Sequence, residues 1–172
     1  MVGTSLLSTR KETVMYKKGD KIVYPLYGAG VIEDLEDKEI DGQLQTYYVL
    51  SIPVGNLKLM ISSSKAETHK VRAIHAKEDI LEMLNAASES TLSVPDNWNQ
   101  RYKENMERIK SGELVVVASV FKSLMLRERE RGLSTAEKKM MTTTKQIILS
   151  EIILSMNIEK IDAEQVLDEV FK

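Results

Sequence analysis

Residues 94–103 read Val-Pro-Asp-Asn-Trp-Asn-Gln-Arg-Tyr-Lys and contain the only tryptophan of the 172-residue chain. Pro95 disfavours helix immediately before it, whereas Asn97 is a favourable N-cap residue. Gln100 follows Asn97 at the spacing of a capping box. The stretch therefore predicts a helix whose first turn carries Trp98.

The neighbours of Trp98 favour two different roles for its ring. Arg101 and Lys103 follow closely, and a helix N-terminus offers free N–H groups and a partial positive charge to a phosphate. This setting suits an aromatic wedge against nucleic acid. However, Trp98 also begins a stripe with Tyr102 and Ile109 at the spacing of an ordinary helix core. Because tryptophan is highly buried on average, the residues alone favour burial.

The composition is that of a globular protein with one or two domains, since 42% of the residues are hydrophobic and 29% are charged. The chain has no cysteine, which excludes disulfides, thiol catalysis and thiolate metal sites and fits a reducing cytoplasm. No apolar run approaches the roughly 20 residues of a membrane-spanning helix. Residues 1–14 are polar and aperiodic and precede a second methionine, Met15. We expect a leader or a disordered extension there, outside the fold.

The formal net charge of −2 hides a segregation along the chain. Residues 95–150 hold 11 basic and 7 acidic side chains, whereas residues 15–94 hold 9 basic and 12 acidic ones. Residues 151–172 hold 2 basic and 6 acidic side chains. A modestly basic block between two acidic ones indicates a face for an anionic partner, although a solvated helix surface explains the excess about as well.

The first half of the chain has the pattern of short strands. Residues 20–26, 31–35, 45–52 and 57–61 are rich in strand-forming residues, and Asp41-Gly42 is a strong signal for a type I′ hairpin. Four or five short strands with tight turns predict a small bent sheet or barrel with an exposed edge. The polar run 62–65 marks the boundary of this β domain, which we place at residues 15–66.

The second half, residues 67–172, has helical periodicity. Helices are expected from Lys77, from Trp98 to Lys110, from Leu114, after the capping box of residues 134–137, and after Asp162 as an N-cap. Five short helices with brief loops predict a compact bundle, so the fold class is α+β with a β-barrel followed by about five α-helices.

The residues offer no catalytic constellation. The chain has no glycine-rich phosphate loop, and His69 and His75 lie far in sequence from other candidate ligands. We therefore expect no enzyme activity, no metal site and no cofactor. A nucleic-acid-binding protein and a protein–protein adaptor are the remaining classes.

Two groups of segments lie in register along the chain. The first is residues 18–25 with the Gly28-Ala29-Gly30 run, and the second is residues 97–103, 110–113 and 130–138. The first group resembles the start of the CarD/CdnL family of bacterial regulators that bind RNA polymerase, and the second resembles its helical half in the same order. The resemblance covers residues 15–172. The N-terminal half also resembles the polymerase-binding module of the transcription-repair coupling factor.

The resemblance implies a Tudor-like (SH3-like) N-terminal barrel that adds to a β-sheet in the lobe of the RNA polymerase β subunit. The family's contact positions on the docking strand fall on Lys38 and Met60, where some members carry arginine at both. Lys38 keeps the positive charge but cannot form the two parallel hydrogen bonds of a guanidinium, and Met60 carries no charge. Three neighbouring residues are implied to supply backbone pairing and apolar contact: Ile40, Leu59 and Ile61.

The resemblance also implies that the helical domain lies on promoter DNA at the upstream edge of the transcription bubble. The family's DNA wedge falls on Trp98, which reverses the preference for burial. The implied basic contacts are Arg101, Lys103, Lys138 and Lys139. DNA would be bound without sequence specificity, by a monomer that has no membrane contact and lies in the bacterial cytoplasm, at the nucleoid through polymerase.

The sequence thus predicts a transcription regulator that binds polymerase and stabilises the promoter open complex with Trp98. The alternative is a protein–protein adaptor that does not bind DNA, with Trp98 in its core or in an interface.

Overall fold

The computed structural model describes residues 16–172, so the extension expected at residues 1–14 lies outside the described residues. The described chain is an α+β protein, as predicted, with a five-stranded antiparallel sheet followed by five helices. The strands are β1 Lys21–Tyr24, β2 Gly28–Ile40, β3 Gln43–Ile52, β4 Leu57–Ser62 and β5 Arg72–Ala73. The helices are α1 Lys77–Glu89, α2 Trp98–Lys110, α3 Leu114–Glu130, α4 Thr135–Met156 and α5 Lys160–Val170. No helix among residues 16–172 is long and apolar enough to span a bilayer.

The sheet has the order β4-β3-β2-β1-β5, so β4 and β5 form its two edges. β2 and β3 make a long hairpin in which Asp41 and Gly42 have φ values of 53° and 76°, as the predicted type I′ turn requires. A register shift between Ile32 and Asp34 marks a bulge, which increases the local twist of β2. One face of the bent sheet packs into a core of its own: Ile22, Ile32, Tyr48, Leu50, Ile52, Ile61 and Ala66.

The sheet continues past residue 66, where the sequence analysis placed the end of the β domain. In β5, Arg72 and Ala73 pair with Val23 and Ile22 of β1. A two-residue strand is too short to show a period of two, so the sequence pattern did not reveal it.

The structure confirms the predicted start of α4 and corrects the predicted start of α5. Ser134 and Glu137 form the complete predicted capping box at the start of α4. By contrast, Asp162 does not cap α5: the N-cap residue is Glu159, and Asp162 lies in the first turn, where its negative charge still favours the helix dipole.

The helical half packs directly on the sheet through close contacts around two glycines. Gly28 has a φ of +114°, and a Cβ atom there would lie 2.6 Å from the hydroxyl oxygen of Ser150 in α4. Gly112, with a φ of +70°, leaves room for the ring of Pro25 in the same way. The Ser150 hydroxyl also accepts a hydrogen bond of 2.8 Å from the backbone N–H of Ala29. The sheet and the helical half therefore pack closely, with the backbone of one against side chains of the other at both glycines.

A partly buried ion pair ties β5 to α4. The Arg72 guanidinium donates to both carboxylate oxygens of Glu151, at 2.7 and 2.8 Å, and its Nε–H donates to the Gly112 carbonyl. The Glu151 carboxylate also accepts from the backbone N–H of His75 and is almost fully buried. Arg72 thus connects the sheet, α4 and the turn that follows α2.

Candidate functional site

The Trp98 side chain lies in the first turn of α2 and is 42% exposed. One part of the indole stacks on Tyr102, with 5.6 Å between ring centroids and an interplanar angle of 21°. Its Nε1–H donates a 3.0 Å hydrogen bond to the hydroxyl of Ser134, the N-cap residue of α4. Trp98, Tyr102 and Ser134 form what we call the wedge site, in which the ring is held in one orientation and is still open to solvent.

The start of α2 follows the predicted capping pattern only in part. The Asn97 side chain accepts from the backbone N–H of Gln100, as predicted. The Gln100 side chain, however, donates to Glu104 at i+4 and does not return a bond to Asn97. One of the free N–H groups at this helix start is therefore satisfied by the cap.

Arg101 is placed differently from the expectation that it contacts phosphate. Its side chain is 3% exposed, and its Nε–H donates to Glu137 at 2.7 Å. Its Nη1 donates to the carbonyls of Pro95 and Asp96, at 3.2 and 2.9 Å. Because the guanidinium is enclosed and bonded within the protein, Arg101 is removed from the candidate DNA surface. It positions the loop before Trp98 and joins α2 to α4.

Glu137 is the shared partner of Arg101 and of the wedge site. Its carboxylate accepts from the backbone N–H and the hydroxyl of Ser134, while its own N–H donates to that hydroxyl. Burial raises the pKa of the Glu137 carboxyl, but the hydrogen bonds from Arg101 and Ser134 outweigh this effect, so its pKa lies below the ordinary value. A charged carboxylate therefore orients the hydroxyl that holds the indole.

The other three predicted cations are exposed. Lys138 and Lys139 lie four and five residues after the wedge-site residue Ser134, and Lys138 is 3.7 Å from the Glu128 carboxylate. Lys103 lies five residues after Trp98, about 140° around α2, so it does not share the face of the indole, and Lys139 is rotated by the same angle from Ser134. Lys138, rotated about 40° from Ser134, is therefore the predicted cation that shares a helix face with the wedge site.

The residues predicted to contact polymerase lie on two strands, β2 and β4, and their side chains divide between the two faces of the sheet. Lys38 and Met60 lie on the solvent face, where the Lys38 ammonium is 3.5 Å from the Met60 sulfur and 5.9 Å from the Tyr47 ring centroid. Ile40 is on this face, two residues from Lys38. Ile40 is 39% exposed and Met60 is 43% exposed. We call Lys38, Ile40 and Met60 the docking face.

Leu59 and Ile61 point away from the docking face, into the core of the sheet. Ile61 is 2% exposed and Leu59 is packed against the same core. Side chains alternate along a strand, so the neighbours of Met60 necessarily face the other way. The expected apolar contact by these two side chains is therefore corrected, and only their backbone groups lie on the free edge of β4.

Sequence reasoning missed Ser134 as part of the wedge site and Glu137 as the residue that orients it. The capping-box spacing identified both as the start of a helix, but nothing local showed that this helix start meets Trp98, which is 36 residues away from Ser134.

A prediction follows for the Arg101–Glu137 pair. Replacing Arg101 by Met leaves a buried, unpaired carboxylate and should lower the free energy of unfolding by about 3–5 kcal/mol at neutral pH. Because the pKa of Glu137 is lowered in the folded state, the pair stabilises fully above the ordinary carboxyl pKa and is lost as the pH falls through the folded value. Urea unfolding at several pH values should therefore show the difference from the parent chain shrinking in acid.

The matched control is Lys110→Met on the same helix. Lys110 makes an exposed pair with Glu107 at 3.4 Å, which should contribute less than about 1 kcal/mol. Equal losses for the two variants would contradict the structural role of the Arg101–Glu137 pair.

Comparisons with known proteins cover both halves of the chain. Residues 16–75 match the family model described as the CarD-like/TRCF RID domain. Residues 79–168 match that of the CarD C-terminal domain. The chain is also similar to the putative transcription factor YdeB of Bacillus subtilis (strain 168). The two are 37% identical over 143 residues, which cover 80% of this chain and 90% of that protein.

Proposed function

The chain belongs to the CarD family of transcription factors and carries an RNA polymerase-interacting domain, and from that premise we propose that it stabilises the promoter open complex. In this proposal the sheet docks on the lobe of the polymerase β subunit. Trp98 then enters the DNA at the upstream edge of the bubble. The observation that carries the proposal is the half-exposed indole, held by Tyr102 and Ser134.

Promoter melting is a reversible equilibrium, and a protein that binds the open form more tightly shifts the equilibrium toward it. Docking through the sheet raises the local concentration of the helical half at one position on the DNA. Exposed lysines on α2 and α4 then hold backbone phosphates, which contributes affinity without reading sequence. Specificity in this mechanism comes from polymerase and promoter.

The wedge contributes a limited free energy. Stacking of an aromatic side chain on a base is worth roughly 1–3 kcal/mol, or about five- to more than a hundredfold in an equilibrium constant. The indole of Trp98 is already oriented, so little conformational entropy is lost when it binds. Such a contribution matters where the open state is marginal and is too small to melt duplex DNA alone.

On the polymerase side, the docking face and the free edge of β4 support strand addition. An edge strand presents unpaired backbone groups that a strand of another protein can complete. The contact between the Lys38 ammonium and the Met60 sulfur places one cation and one flexible apolar side chain together on that face. Both are therefore available to a single partner surface.

A protein–protein adaptor is the alternative function. Exposure of Trp98 argues against a core role, but the same ring can anchor a protein interface. Photocross-linking from position 98, in the presence of polymerase, should label promoter DNA near the upstream edge of the bubble. Labelling of protein alone would favour the adaptor.

The wedge is tested by Trp98→Ala. We expect polymerase binding to be unchanged and the lifetime of the open complex at an unstable promoter to fall about five- to a hundredfold, because one base-stacking contact is lost. The lifetime is measured by challenge with a competitor after complex formation.

Ile161→Ala is the control for the wedge variant, since it also truncates an exposed apolar side chain, on α5. It should leave the lifetime unchanged. Parent-like lifetimes for Trp98→Ala would remove the wedge from the mechanism.

The docking face is tested by Met60→Glu and Lys38→Glu. Both variants should weaken binding to the isolated β lobe about tenfold or more, since each places a new charge where an apolar or cationic contact is expected. Binding is measured by calorimetry, and circular dichroism checks that the sheet is intact.

The matched control is Leu44→Glu on the neighbouring strand β3, where the side chain is 72% exposed and points away from the docking face. It should bind nearly as the parent chain does. If Met60→Glu and Lys38→Glu also bind normally, docking occurs elsewhere.

A further inference from the structure

A second cationic site lies in a groove between α3 and the loop that joins α1 to α2. The groove has a volume of about 240 Å³, and Lys122, Arg127 and Arg131 line it. Among residues 16–172, none of these three cations takes part in an ion pair. The three cations of the groove are therefore not directly paired with a carboxylate.

Arg127 has an unusual environment within this groove. Its Nε atom is buried and has no hydrogen-bond partner among the described residues. A buried donor without an acceptor is costly, and the cost is larger for a charged group. Rotation of the side chain toward the groove would relieve this cost, since an oxyanion there could accept from Nε and a terminal nitrogen together, the fork geometry in which arginine binds phosphate.

Lys122 is fixed beside Arg127. Its ammonium donates to the backbone carbonyls of Ser88 and Ser90, which holds the charge at the wall of the groove. An ammonium has three donors, so one remains for a ligand. The hydroxyl of Ser123 also lines the groove and adds a neutral donor.

The negative charges of the groove lining limit which anions can bind there. Asp96 and Glu130 are exposed residues of the groove, so its lining carries three positive and two negative charges. This balance favours one compact anion over a run of phosphates. Leu92 and Val94 supply an apolar wall of the kind that a sugar can cover.

We propose that this groove binds one phosphate group, held by the guanidinium of Arg127 and the free donor of Lys122. The phosphate has two possible sources. Asp96 lies two residues before Trp98, so a phosphate of a DNA strand at the wedge site is within the same region. A free phosphate ester presents the same chemistry.

The test is an NMR titration of the arginine Nε–H signals in the full chain. The probes are inorganic phosphate and an unphosphorylated single-stranded oligonucleotide, compared with chloride at equal ionic strength. Phosphate binding should shift the Arg127 signal saturably, with a dissociation constant on the order of 1 mM for inorganic phosphate. Arg127→Gln lacks this signal, so binding is followed by the backbone amide signal of Ser123 in both the variant and the parent chain. The variant should bind phosphate about tenfold or more weakly, because a charged hydrogen-bond pair is lost.

Arg129→Gln is the matched control, since Arg129 is an exposed residue of the same helix and does not line the groove. It should leave the affinity within about twofold, as expected when no direct contact is removed. A response to the oligonucleotide alone assigns the site to DNA, and a response to inorganic phosphate alone assigns it to a free ester.

Equal weakening by both variants, or no saturable shift with either probe, would overturn the proposal. Trp98→Ala should not change the phosphate response. Failure of the groove is therefore distinguishable from failure of the wedge.

Discussion

A buried carboxylate lies in the first turn of α4 and another lies farther along the same helix, and each is held by an arginine from a different element. Glu137 binds Arg101 of α2, and Glu151 binds Arg72 of β5. The first pair fixes the helix that carries Trp98, and the second fixes the sheet that carries the docking face. Both candidate surfaces are therefore anchored to one helix, α4.

This arrangement sets a distance between them. Glu137 and Glu151 are 14 residues apart on a continuous helix, which corresponds to about 21 Å along its axis. Replacing a buried ion pair by apolar residues is often neutral for stability, whereas an arginine fork fixes orientation closely. The two ion pairs therefore contribute more to the orientation of the elements that they join than to stability. In the proposed function, the position at which Trp98 meets DNA beside a docked polymerase depends on that spacing.

Local rules were sufficient for most of the fold. The Asp41-Gly42 turn and the Ser134–Glu137 capping box were readable because their signals lie within four residues. The role of Arg101 was not readable, because its direction is decided by a carboxylate 36 residues away. The alternation along β4 already showed that Leu59 and Ile61 share a face that Met60 does not. The prediction treated residues 59–61 as one contact surface and so overlooked this alternation.

The wedge site resolves the conflict between a core stripe and an exposed ring. Tyr102 continues the stripe and covers part of the indole, while Ser134 satisfies the Nε1–H that would otherwise need water. The Ser134 hydroxyl is in turn fixed by Glu137, so the indole is oriented without being enclosed. In the proposed function, a base stacks on the open part of the ring without breaking any of these hydrogen bonds. Because such a contact would be worth only roughly 1–3 kcal/mol, the proposal requires that docking first brings the ring to the bubble.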